Sequence, residues 1–464
     1  MKLVYRLMEE FPDQMLLNMF AARNEGEGTM NSGRVRAAKD LINKLSDVSF
    51  NQAQRVKQTA ELVEAYIELA DFSIKVPGQR PPDPGQQFDI TPKLKAWMKA
   101  RDSLVPVLTA TASHHQSVLP LVKRFDEKAQ YPGGVTCPKK ITCFDTRDRP
   151  FTQLVKGEDP RPDAVASQLF DVMRMLLETD KQCRLRGLNI STYKVIPLSA
   201  KACVLEWVED TEALGTILGR ANDTWPSSLH ARYDKKGWTA RACSDRMRRE
   251  TLQKTKFPQP DEAWKDIMEN TKPVFRHFFL EQSSSALEWF RMRLAYTRSV
   301  AASSMAGYIV GLGDRHTSNI LVRKDIQRCG ELVHIDLGMV FDQGKLLSIP
   351  ETVPFRLTRD MVDGMGVAGT EGVMTRCCEE TLRVLRDNKQ ALLAIADVLL
   401  HDPLDSWRMT PEKAARQQES ERKDGDTPME SEVAGANARL VRMKLKEKLE
   451  GWDRGELLGV QGQV

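Results

Sequence analysis

The chain has 464 residues, of which 41% are hydrophobic and 28% charged, a composition typical of a globular protein with material for two or three domains. Its 68 Lys and Arg residues against 64 Asp and Glu residues leave a net charge of +4, too small an excess to indicate nucleic-acid binding. The eight cysteines form no Cys-x-x-Cys pair, and the longest apolar run, 391–400, contains Asp397. We therefore expect reduced thiols, no zinc site, no membrane partner and no direct DNA contact.

The N-terminal part of the sequence is predicted to be helical. Apolar residues recur at helical spacing within residues 1–72, most clearly at 60–69. The polar stretch 23–33 predicts a loop between helices. The Pro- and Gly-rich run 76–85 predicts a rigid linker and a domain boundary.

A β-rich region follows the linker, from about residue 88 to 208. Short runs rich in β-branched residues predict five strands, at 105–108, 141–144, 153–156, 192–198 and 203–208. One predicted helix interrupts them at 163–178, where apolar residues fall on one face.

The remainder of the sequence is predicted to be mainly helical. A long helix at 285–310 should end at Gly311, and a hairpin should follow with strands at 320–322 and 332–335. Two further helices are predicted within 371–401. Residues 411–435 have the composition of a disordered segment, and a basic helix is predicted at 436–450.

The strongest chemical signal lies around this hairpin. The stretch before it reads Gly311-Leu312-Gly313-Asp314-Arg315-His316-Thr317-Ser318-Asn319, and Asp336-Leu337-Gly338 follows it. Phosphoryl transfer needs a carboxylate at the acceptor hydroxyl and oxygen ligands for magnesium. In protein kinases an Asp and an Asn five residues apart precede a hairpin and an Asp-x-Gly. A loop that only caps a helix is the alternative for an isolated Asp-x-x-x-x-Asn, but the ordered set favours a kinase.

The same motifs resemble the phosphatidylinositol 3-kinase-related protein kinases, and in particular the checkpoint branch of that family in its fungal form. The matching segments, besides Gly-Asp-Arg-His-x-x-Asn, are 293–301, 331–338, 350–360 and 362–366. The resemblance implies an α+β, two-lobed protein-kinase-like fold of the PI3/PI4-kinase type, with a β-rich small lobe and a helical large lobe. It also implies a preceding α-helical FAT-like segment.

The resemblance implies a division of the chain into segments. The expected ranges are 1–75 for the end of the FAT-like domain, 76–87 for the linker, 88–208 for the small lobe with the hinge, 209–410 for the large lobe, 411–435 for the disordered segment, and 436–464 for the basic helix and tail. Family members continue with a short C-terminal helical segment, FATC, which we expect to be missing after Val464.

The resemblance also implies site residues. Asp314 would orient or deprotonate the acceptor hydroxyl, His316 would neutralise charge on the γ-phosphate, and Lys156 would bind phosphates. The implied metal ligands are Asn319 and Asp336. The implied ATP-binding residues are Gly133, Gly134, Lys156, Asp163, Tyr193, Glu206, Trp207 and Val208. The implied activation-segment residues are Asp336, Leu337, Gly338, Pro354, Phe355 and Arg356.

One segment departs from the family pattern. The family's Asp-Leu-Arg-Gln-Asp reads Asp159-Pro160-Arg161-Pro162-Asp163, and the interval from Lys156 to Asp163 is one residue shorter. Two prolines fix backbone angles where the helix is predicted to begin. We expect Asp163 to support Lys156 or the pocket floor, with an altered geometry.

The function expected from the resemblance is phosphorylation of Ser or Thr followed by Gln, with ATP and Mg²⁺ (or Mn²⁺) as cofactors. The implied setting is the nucleus, with homodimerisation, recruitment by a DNA-break-sensing complex, and roles in checkpoint signalling and telomere maintenance. An inactive kinase-fold scaffold and a lipid kinase are the alternatives. Residues 337–355 contain a single cation, Lys345, which disfavours an anionic lipid headgroup as substrate.

Overall fold

A computed structural model describes the protein over residues 2–10, 12–24, 32–73, 83–97, 105, 120–134, 136–219, 227–252, 260–325, 327–347, 350–400, 430–453 and 455–464. The described residues fall into two compact units. The first unit comprises those within 1–168, 193–209 and 399–437. The second comprises those within 169–192, 210–398 and 438–464.

Four helices open the first unit: α1 (Lys2–Glu10), α2 (Pro12–Arg23), α3 (Ser32–Val48) and α4 (Phe50–Asp71). Helix α4 begins where the side chain of Ser49 accepts a hydrogen bond from the Gln52 amide, a normal N-cap. It buries a stripe that includes Leu62, Tyr66 and Leu69. The helical prediction for 60–69 is confirmed.

The sheet of the first unit is antiparallel and follows the order β1-β3-β4-β5-β7-β6, with β2 also paired to β4. Its strands are β1 (Gln87–Asp89), β2 (Val122–Phe125), β3 (Lys128–Gln130), β4 (Lys139–Asp145), β5 (Pro150–Lys156), β6 (Val195–Ser199) and β7 (Ala202–Glu206). Two helices accompany it, α5 (Pro92–Trp97) and α6 (Arg161–Thr179), and α6 continues into the second unit.

The sheet corrects part of the strand prediction. The strands expected at 141–144 and 153–156 lie within β4 and β5, and the helix at 163–178 lies within α6. The run 203–208 is a strand only to Glu206, and 192–198 only from Val195. Of the run 105–108, Val105 is not in a strand and the other positions lie outside the described residues. Strands β1, β2 and β3 were missed because they are short and carry polar residues on exposed positions.

Helices α1–α4 and the sheet share one hydrophobic core. Its largest side chains come from both layers, for example Tyr66 of α4 and Ile141 of β4. Two buried polar contacts cross the same interface. The Tyr66 hydroxyl donates to Oε1 of Gln153 at 2.5 Å, and Nζ of Lys139 donates to the carbonyl of Ala70 at 2.6 Å. The last turn of α4 is therefore tied to the strands.

The second unit is mainly helical around one long, buried helix. The bounds of its helices are α7 (Lys181–Leu185), α8 (Leu214–Leu218), α9 (Leu229–Tyr233), α10 (Ala240–Leu252), α11 (Pro260–Glu269), α12 (Arg276–Gln282), α13 (Ala286–Val310), α14 (Arg359–Gly364), α15 (Val373–Asp387), α16 (Lys389–Leu400), α17 (Glu430–Glu450) and α18 (Val460–Gln463). The end of α16 and the start of α17 fall within the first unit. Ser285 caps the start of α13, and Gly311 ends it in a left-handed conformation, as predicted.

Strands β8 (Thr211–Ala213), β9 (Ile320–Arg323) and β10 (Leu332–His334) form a small antiparallel sheet in the order β10-β9-β8. The last two are the predicted hairpin. A second hairpin joins β11 (Trp452–Asp453) and β12 (Glu456–Leu457). Helix α17 begins at Glu430, before its predicted start at Ala436, because the Glu and Ala residues there favour a helix. The rest of the predicted disordered segment, 411–429, lies outside the described residues. Among the described helices, none combines the length and apolarity needed to cross a bilayer.

Candidate active site

The loop after α13 carries the predicted catalytic residues. Gly311 must be glycine, because its φ is 62° and a Cβ there would lie 2.6 Å from the backbone nitrogen of Asp342. The Gly313 amide donates to the carbonyl of Met339 at 2.7 Å. Asp314 has a φ of 56°, which is unusual for a residue other than glycine and is typical of functional loops.

Asp314 and Asn319 are in direct contact. The Asn319 side-chain amide donates to the Asp314 carbonyl at 3.0 Å and lies 3.4 Å from Oδ2 of the Asp314 carboxylate. Asn319 is buried, whereas the His316 ring is exposed with its Nε2 4.0 Å from the same Oδ2. The spacing that predicted an Asp–Asn pair therefore corresponds to a real contact, with His316 beside it.

Arg315 connects this loop to the Asp-x-Gly segment. Its buried guanidinium donates to the carbonyls of Gly313 at 2.8 Å, Ile335 at 2.9 Å and Asp336 at 2.5 Å. Three carbonyls on two chain segments are thus held by one planar group, a task for which arginine is suited and lysine is not. The sequence analysis did not single out Arg315. Its place inside the Asp314–Asn319 motif was the only available signal.

Asp336 lies directly after β10 and also has a φ of 56°. Its side chain is exposed, and the Asn319 amide oxygen has no hydrogen bond within the described residues. Carboxylate and amide oxygens are the donors that magnesium prefers. The donor set thus fits a hard divalent cation. The described residues contain no group of three His, Cys, Asp or Glu side chains placed to hold a metal, so further ligands would have to come from nucleotide phosphates or water.

The predicted activation segment, which begins at Asp336 and includes Arg356, returns to the loop that carries Asp314 through Glu351. Both carboxylate oxygens of Glu351 accept the Asp314 amide, at 2.9 and 3.1 Å. Arg356 is half-buried near Glu351. Burial lowers the pKa of the Arg356 guanidinium, and the Glu351 charge opposes that shift. Of the other residues predicted here, Leu337 is buried and Pro354 is exposed, while Gly338 and Phe355 are half-buried.

A buried ion pair holds the middle of this segment. Nζ of Lys448, on α17, lies 3.3 Å from both carboxylate oxygens of Asp342 and donates to the Tyr308 carbonyl at 2.9 Å. Burial alone would raise the pKa of Asp342, but the Lys448 and Lys345 charges outweigh it and hold that pKa below its ordinary value. Burial lowers the pKa of Lys448, and the negative charge of Asp342 only partly offsets that shift by raising it.

In the first unit, Lys156 is the last residue of β5, as the sequence predicted. Its Nζ lies 2.7 Å from Oε1 of Glu158. Asp163 is buried in the first turn of α6. Burial raises the pKa of the nearby Cys203 thiol; the Lys156 charge opposes that shift, whereas Asp163 and Glu158 reinforce it. Lys156 lies opposite Cys203 in the β5–β7 pairing, and Glu158 and Asp163 are near enough for their charges to act on its thiol.

The predicted Gly-Gly loop and the predicted hinge belong to the same unit. Gly133 and Gly134 have φ of 108° and 107°, a backbone that side-chain-bearing residues rarely adopt. The Trp207 amide donates to the Thr152 carbonyl at 3.2 Å, and Nζ of Lys140 lies 4.1 Å from the Trp207 ring centroid. The two glycines thus leave the loop backbone without side chains, and the Lys140 ammonium lies over one face of the Trp207 indole.

The remaining predicted residues stand around this hinge. The Glu206 carboxylate accepts the Lys194 amide at 3.0 Å, and half-buried Val208 follows β7. Tyr193 is buried, and its backbone carbonyl accepts a hydrogen bond from the Ser167 hydroxyl at 2.7 Å. Lys156 therefore lies opposite Cys203 at the start of β7, whereas Glu206 ends this strand opposite Gln153, and Trp207 and Val208 follow it.

The departing segment 159–163 forms a regular helix start. Asp159 accepts the Arg161 amide at 3.1 Å and its Nε at 2.7 Å. Helix α6 begins at Arg161, where Pro162 is tolerated because the first amides of a helix have no partner within it.

The fold is that of a kinase. The sequence profile described as phosphatidylinositol 3- and 4-kinase matches residues 152–409, more than half of the chain. The chain therefore belongs to the phosphatidylinositol 3- and 4-kinase family. Kinases of this family use ATP and a divalent metal.

Within the family, the similar proteins confirm the resemblance to the checkpoint branch. Serine/threonine-protein kinase ATM of Arabidopsis thaliana is 38% identical over 100% of this chain and 12% of its own length. Serine-protein kinase ATM of Sus scrofa is 39% identical over 94% of this chain and 14% of its own. Serine/threonine-protein kinase tel1 of Schizosaccharomyces pombe is 36% identical, over 85% and 14%. The chain thus spans 12% to 14% of the length of these relatives.

Solved structures confirm the predicted fold class. The FAT and kinase domain of CtTel1 matches with a TM-score of 0.78 at 32% identity, over 96% of this chain and 30% of that one. The Tel1 kinase butterfly symmetric dimer matches with a TM-score of 0.77 at 30% identity, over 98% and 18%. The fold is that of the PI3/PI4 kinases with FAT-type helices before it. The segment boundaries and the roles of individual site residues stay predictions.

Proposed function

We propose that this chain is the catalytic region of a serine/threonine protein kinase of the ATM and Tel1 type, which transfers the γ-phosphate of ATP to serine or threonine in proteins. The observation that carries the proposal is the contact of Asp314 with Asn319, together with the Arg315 contacts to the Asp336 carbonyl and to the loop itself. A loop that only capped a helix would have no need of a guanidinium that fixes both segments.

The proposed roles follow the chemistry of each group. Asp314 orients the acceptor hydroxyl and His316 neutralises charge on the transferred phosphoryl group. Asn319 and Asp336 hold Mg²⁺, which supplies charge neutralisation at the phosphates when bound; Mn²⁺ offers the same oxygen coordination. Lys156 and the Gly133–Gly134 backbone meet the phosphates, and Asp163 and Tyr193 support the pocket.

The hinge completes the proposed nucleotide site. Trp207 stacks on the adenine, and the backbone at Glu206 and Val208 bonds its edge. Because the Lys140 ammonium already lies over the indole, we assign the adenine to the other face of the ring. Neutral purine rings stack well on indole, whereas a cation on the opposite face leaves that stacking in place.

A protein, and not a lipid headgroup, is the proposed acceptor. The segment 337–355 contains one cation, Lys345, and it lies 3.5 Å from Oδ1 of Asp342. An anionic inositol headgroup would find no unpaired cation there within the described residues. The exposed Val353 and Pro354 suit contact with an extended peptide, and we propose Ser or Thr followed by Gln as the motif.

The cellular role proposed for the whole protein follows from its similarity to the ATM and Tel1 kinases. We propose a nuclear kinase in DNA-break checkpoint signalling and telomere maintenance, recruited by a break-sensing complex. Structures of Tel1 described as dimers support homodimerisation of the complete protein. An inactive kinase-fold module is the second candidate, favoured only by the altered segment 159–163.

The test is transfer of labelled phosphate from ATP with Mg²⁺ to two matched peptides, one with Ser-Gln and one with Ser-Ala. The variants are Asp336→Asn and Asp314→Asn, because Asn tolerates the left-handed backbone that both positions require. Asp148→Asn is the matched control, since Asp148 has a φ of 58° but is exposed on the turn between β4 and β5.

We expect transfer to the Ser-Gln peptide by the wild type and the Asp148→Asn protein, and a loss of about 10³-fold in the two site variants. Equal labelling of both peptides would refute the motif. Labelling of phosphoinositide vesicles in place of peptide would favour a lipid kinase. A folded protein that binds ATP and labels neither would support the inactive module.

A further inference from the structure

Strand β4 begins with two adjacent lysines, and their side chains leave the sheet on opposite faces. Side chains alternate between the two faces along a strand, and those of β4 are alternately buried and half-buried. Lys139 is buried, and its ammonium donates to the Ala70 carbonyl at the end of α4. Lys140 is half-buried and lies on the face opposite to the one that packs on helices α1–α4. The two lysines therefore have different surroundings and need different explanations.

The strand register places Lys140 on the same face as two residues of the predicted nucleotide site. Lys140 is paired with Leu154 of β5, and Leu154 is paired with Leu205 of β7. Paired residues of antiparallel strands share a face, and so do residues two apart along one strand. Lys156 is two positions beyond Leu154, and Trp207 is two positions beyond the residue paired with it. Lys140 thus shares its face with the predicted phosphate-binding lysine and the predicted hinge ring.

The Lys140 ammonium lies over the ring of Trp207. Its Nζ is 4.1 Å from the ring centroid, inside the distance of about 6 Å within which a cation is attracted to an indole face. Both side chains are half-buried, so water screens this attraction less than it would on an open surface. The backbone of Trp207 is fixed as well, because its amide donates to the Thr152 carbonyl at 3.2 Å. The indole is therefore held both by its backbone and by a cation over one face.

This arrangement affects how a second ring can stack on the indole. An indole that already has one orientation loses less conformational freedom when a flat ligand stacks on its other face. The ammonium also draws the π-electrons of the indole towards itself, which makes the other face a better partner for an electron-rich purine. Both effects act on the base of a nucleotide, and neither acts on its phosphates.

We propose that Lys140 is a positioning residue for the nucleobase, whose ammonium holds and polarises the Trp207 indole so that adenine stacks on the opposite face. The inference rests on the proposed function, since it adds a residue to the adenine end of the nucleotide site given there. Lys140 acts through Trp207 and touches neither the base nor the phosphates. The sequence gave no signal for it, because the contact joins β4 to the chain that follows β7.

Binding of two ligands to the full chain separates the two ends of the nucleotide site. Mg²⁺-ATP carries the base and the phosphates, whereas adenosine carries the base without phosphates. Calorimetry measures the first directly and the second by its competition with ATP. The proteins are the wild type, Lys140→Met, Lys140→Arg, Trp207→Leu and the double variant Lys140→Met/Trp207→Leu. Thermal unfolding of each protein reports whether it is folded.

The matched control is Arg124→Met. Arg124 lies on β2 of the same sheet, and its Cζ is 3.5 Å from the centroid of the Phe144 ring on β4. The control therefore removes a cation from an aromatic ring of the same sheet and leaves Trp207 intact. Phe144 is four residues along β4 from Lys140, a separation of about 13 Å.

We expect Lys140→Met to weaken the binding of Mg²⁺-ATP and of adenosine alike, by about fivefold each. Lys140→Arg should retain most of the affinity, because a guanidinium also stacks on an indole, and Arg124→Met should leave both affinities unchanged. In the Trp207→Leu background, Lys140→Met should cause no further loss, a non-additivity that a merely structural role would not produce. Steady-state kinetics should show the KM for ATP raised, with kcat and the KM for peptide unaltered.

Four results would overturn the inference alone. The first is unchanged binding of both ligands by a folded Lys140→Met protein, and the second is the same loss with and without Trp207. The third is a loss for ATP with adenosine unaffected, which would place the ammonium at the phosphates. The fourth is a wild type that binds ATP but not adenosine.

A failure of the wild type to bind Mg²⁺-ATP would have a wider meaning, since it would overturn the proposed function and this inference with it. Should Lys140→Met not fold, Lys140→Gln takes its place and must show the same loss of affinity for both ligands.

Discussion

Nε2 of His230 lies 3.0 Å from Oδ2 of Asp360, and the other oxygen of that carboxylate accepts the Val274 amide at 2.8 Å. The His230 side chain is 6% exposed and the Asp360 side chain 20%. Asp360 lies at the start of α14, shortly after the last residue of the predicted activation segment, Arg356. The contact therefore ties the end of that segment to α9 and to the chain before α12.

Breaking this contact should loosen the predicted activation segment and leave the proposed nucleotide site unchanged. We expect His230→Ala to destabilise the protein by about 2 kcal/mol, because a mostly buried carboxylate loses a partner. The KM for peptide should rise while the KM for ATP stays the same. A cycle with Asp360→Asn checks the assignment, and strictly additive effects would contradict it.

Arg315→Lys should reduce kcat about 10²-fold, because one ammonium cannot reproduce the hydrogen bonds to the Gly313, Ile335 and Asp336 carbonyls. Peptide phosphorylation under saturating ATP measures the effect. Arg328→Lys, on the exposed loop between β9 and β10, is the control and should behave as wild type. Wild-type kcat in a folded Arg315→Lys protein would show that the carbonyl contacts are dispensable.

Asp342→Asn should lower the free energy of unfolding by about 3 kcal/mol, because Lys448 would be left buried without a charge partner. Asparagine is chosen since Asp342 has a φ of 61°. Urea unfolding measures the change. Lys345→Met removes the other, exposed cation beside Asp342 and should cost less than about 1 kcal/mol. Similar losses in both variants would argue against a dominant buried pair.

His334 predicts a pH dependence of stability. Its Nδ1 is enclosed without a hydrogen-bond partner among the described atoms, and burial, with the Arg315 charge second, lowers the pKa of His334 to about 3. In the unfolded chain His334 binds a proton near pH 6.5, whereas in the folded protein it stays neutral down to much lower pH. Between pH 6.5 and 3, lowering the pH therefore reduces the free energy of unfolding by about 1.4 kcal/mol per pH unit. Urea unfolding at several pH values should show this slope in the wild type and a shallower one in His334→Gln. Identical pH slopes in the two proteins would show that His334 does not cause the pH dependence of stability.

Gly157→Ala should destabilise the protein by about 1–3 kcal/mol, because its new methyl group would press on the Ala70 carbonyl. Thermal unfolding measures the loss. Gly33→Ala is the control: Gly33 lies in the first turn of α3 with no atom within 4 Å of the added Cβ, so alanine should not destabilise the protein there. An unchanged stability in Gly157→Ala would mean that the end of α4 can move away from the added methyl group.

The parts of the site that could be predicted are those encoded by local spacing. Asp314 and Asn319 belong to one loop, and their contact follows from five residues of sequence. Helix α13 and the hairpin were predicted because capping, glycine and apolar runs are local signals. Glu351 could not be found in this way, since it meets Asp314 across 37 residues.

The missed residues share one cause. Lys139, Glu158 and Arg315 are charged side chains, and a sequence alone gives no reason to place a charge inside a fold. Each is withdrawn from water because a carbonyl or an opposite charge receives it. The short strands β1–β3 were missed for the related reason that pairing with β4, not residue preference, makes them strands.

The common core of α1–α4 and the sheet bears on how this protein can be shortened. A chain beginning at Gln87 would keep every strand, yet it would expose the strand face that Tyr66, Leu62 and Leu69 now cover. It would also leave Lys139 without its carbonyl partner. Each exposed aromatic or leucine face costs about 1.5–3 kcal/mol, which a marginally stable domain cannot lose several times over. We therefore expect a shortened protein to fold only if it keeps both the sheet and the helices before it.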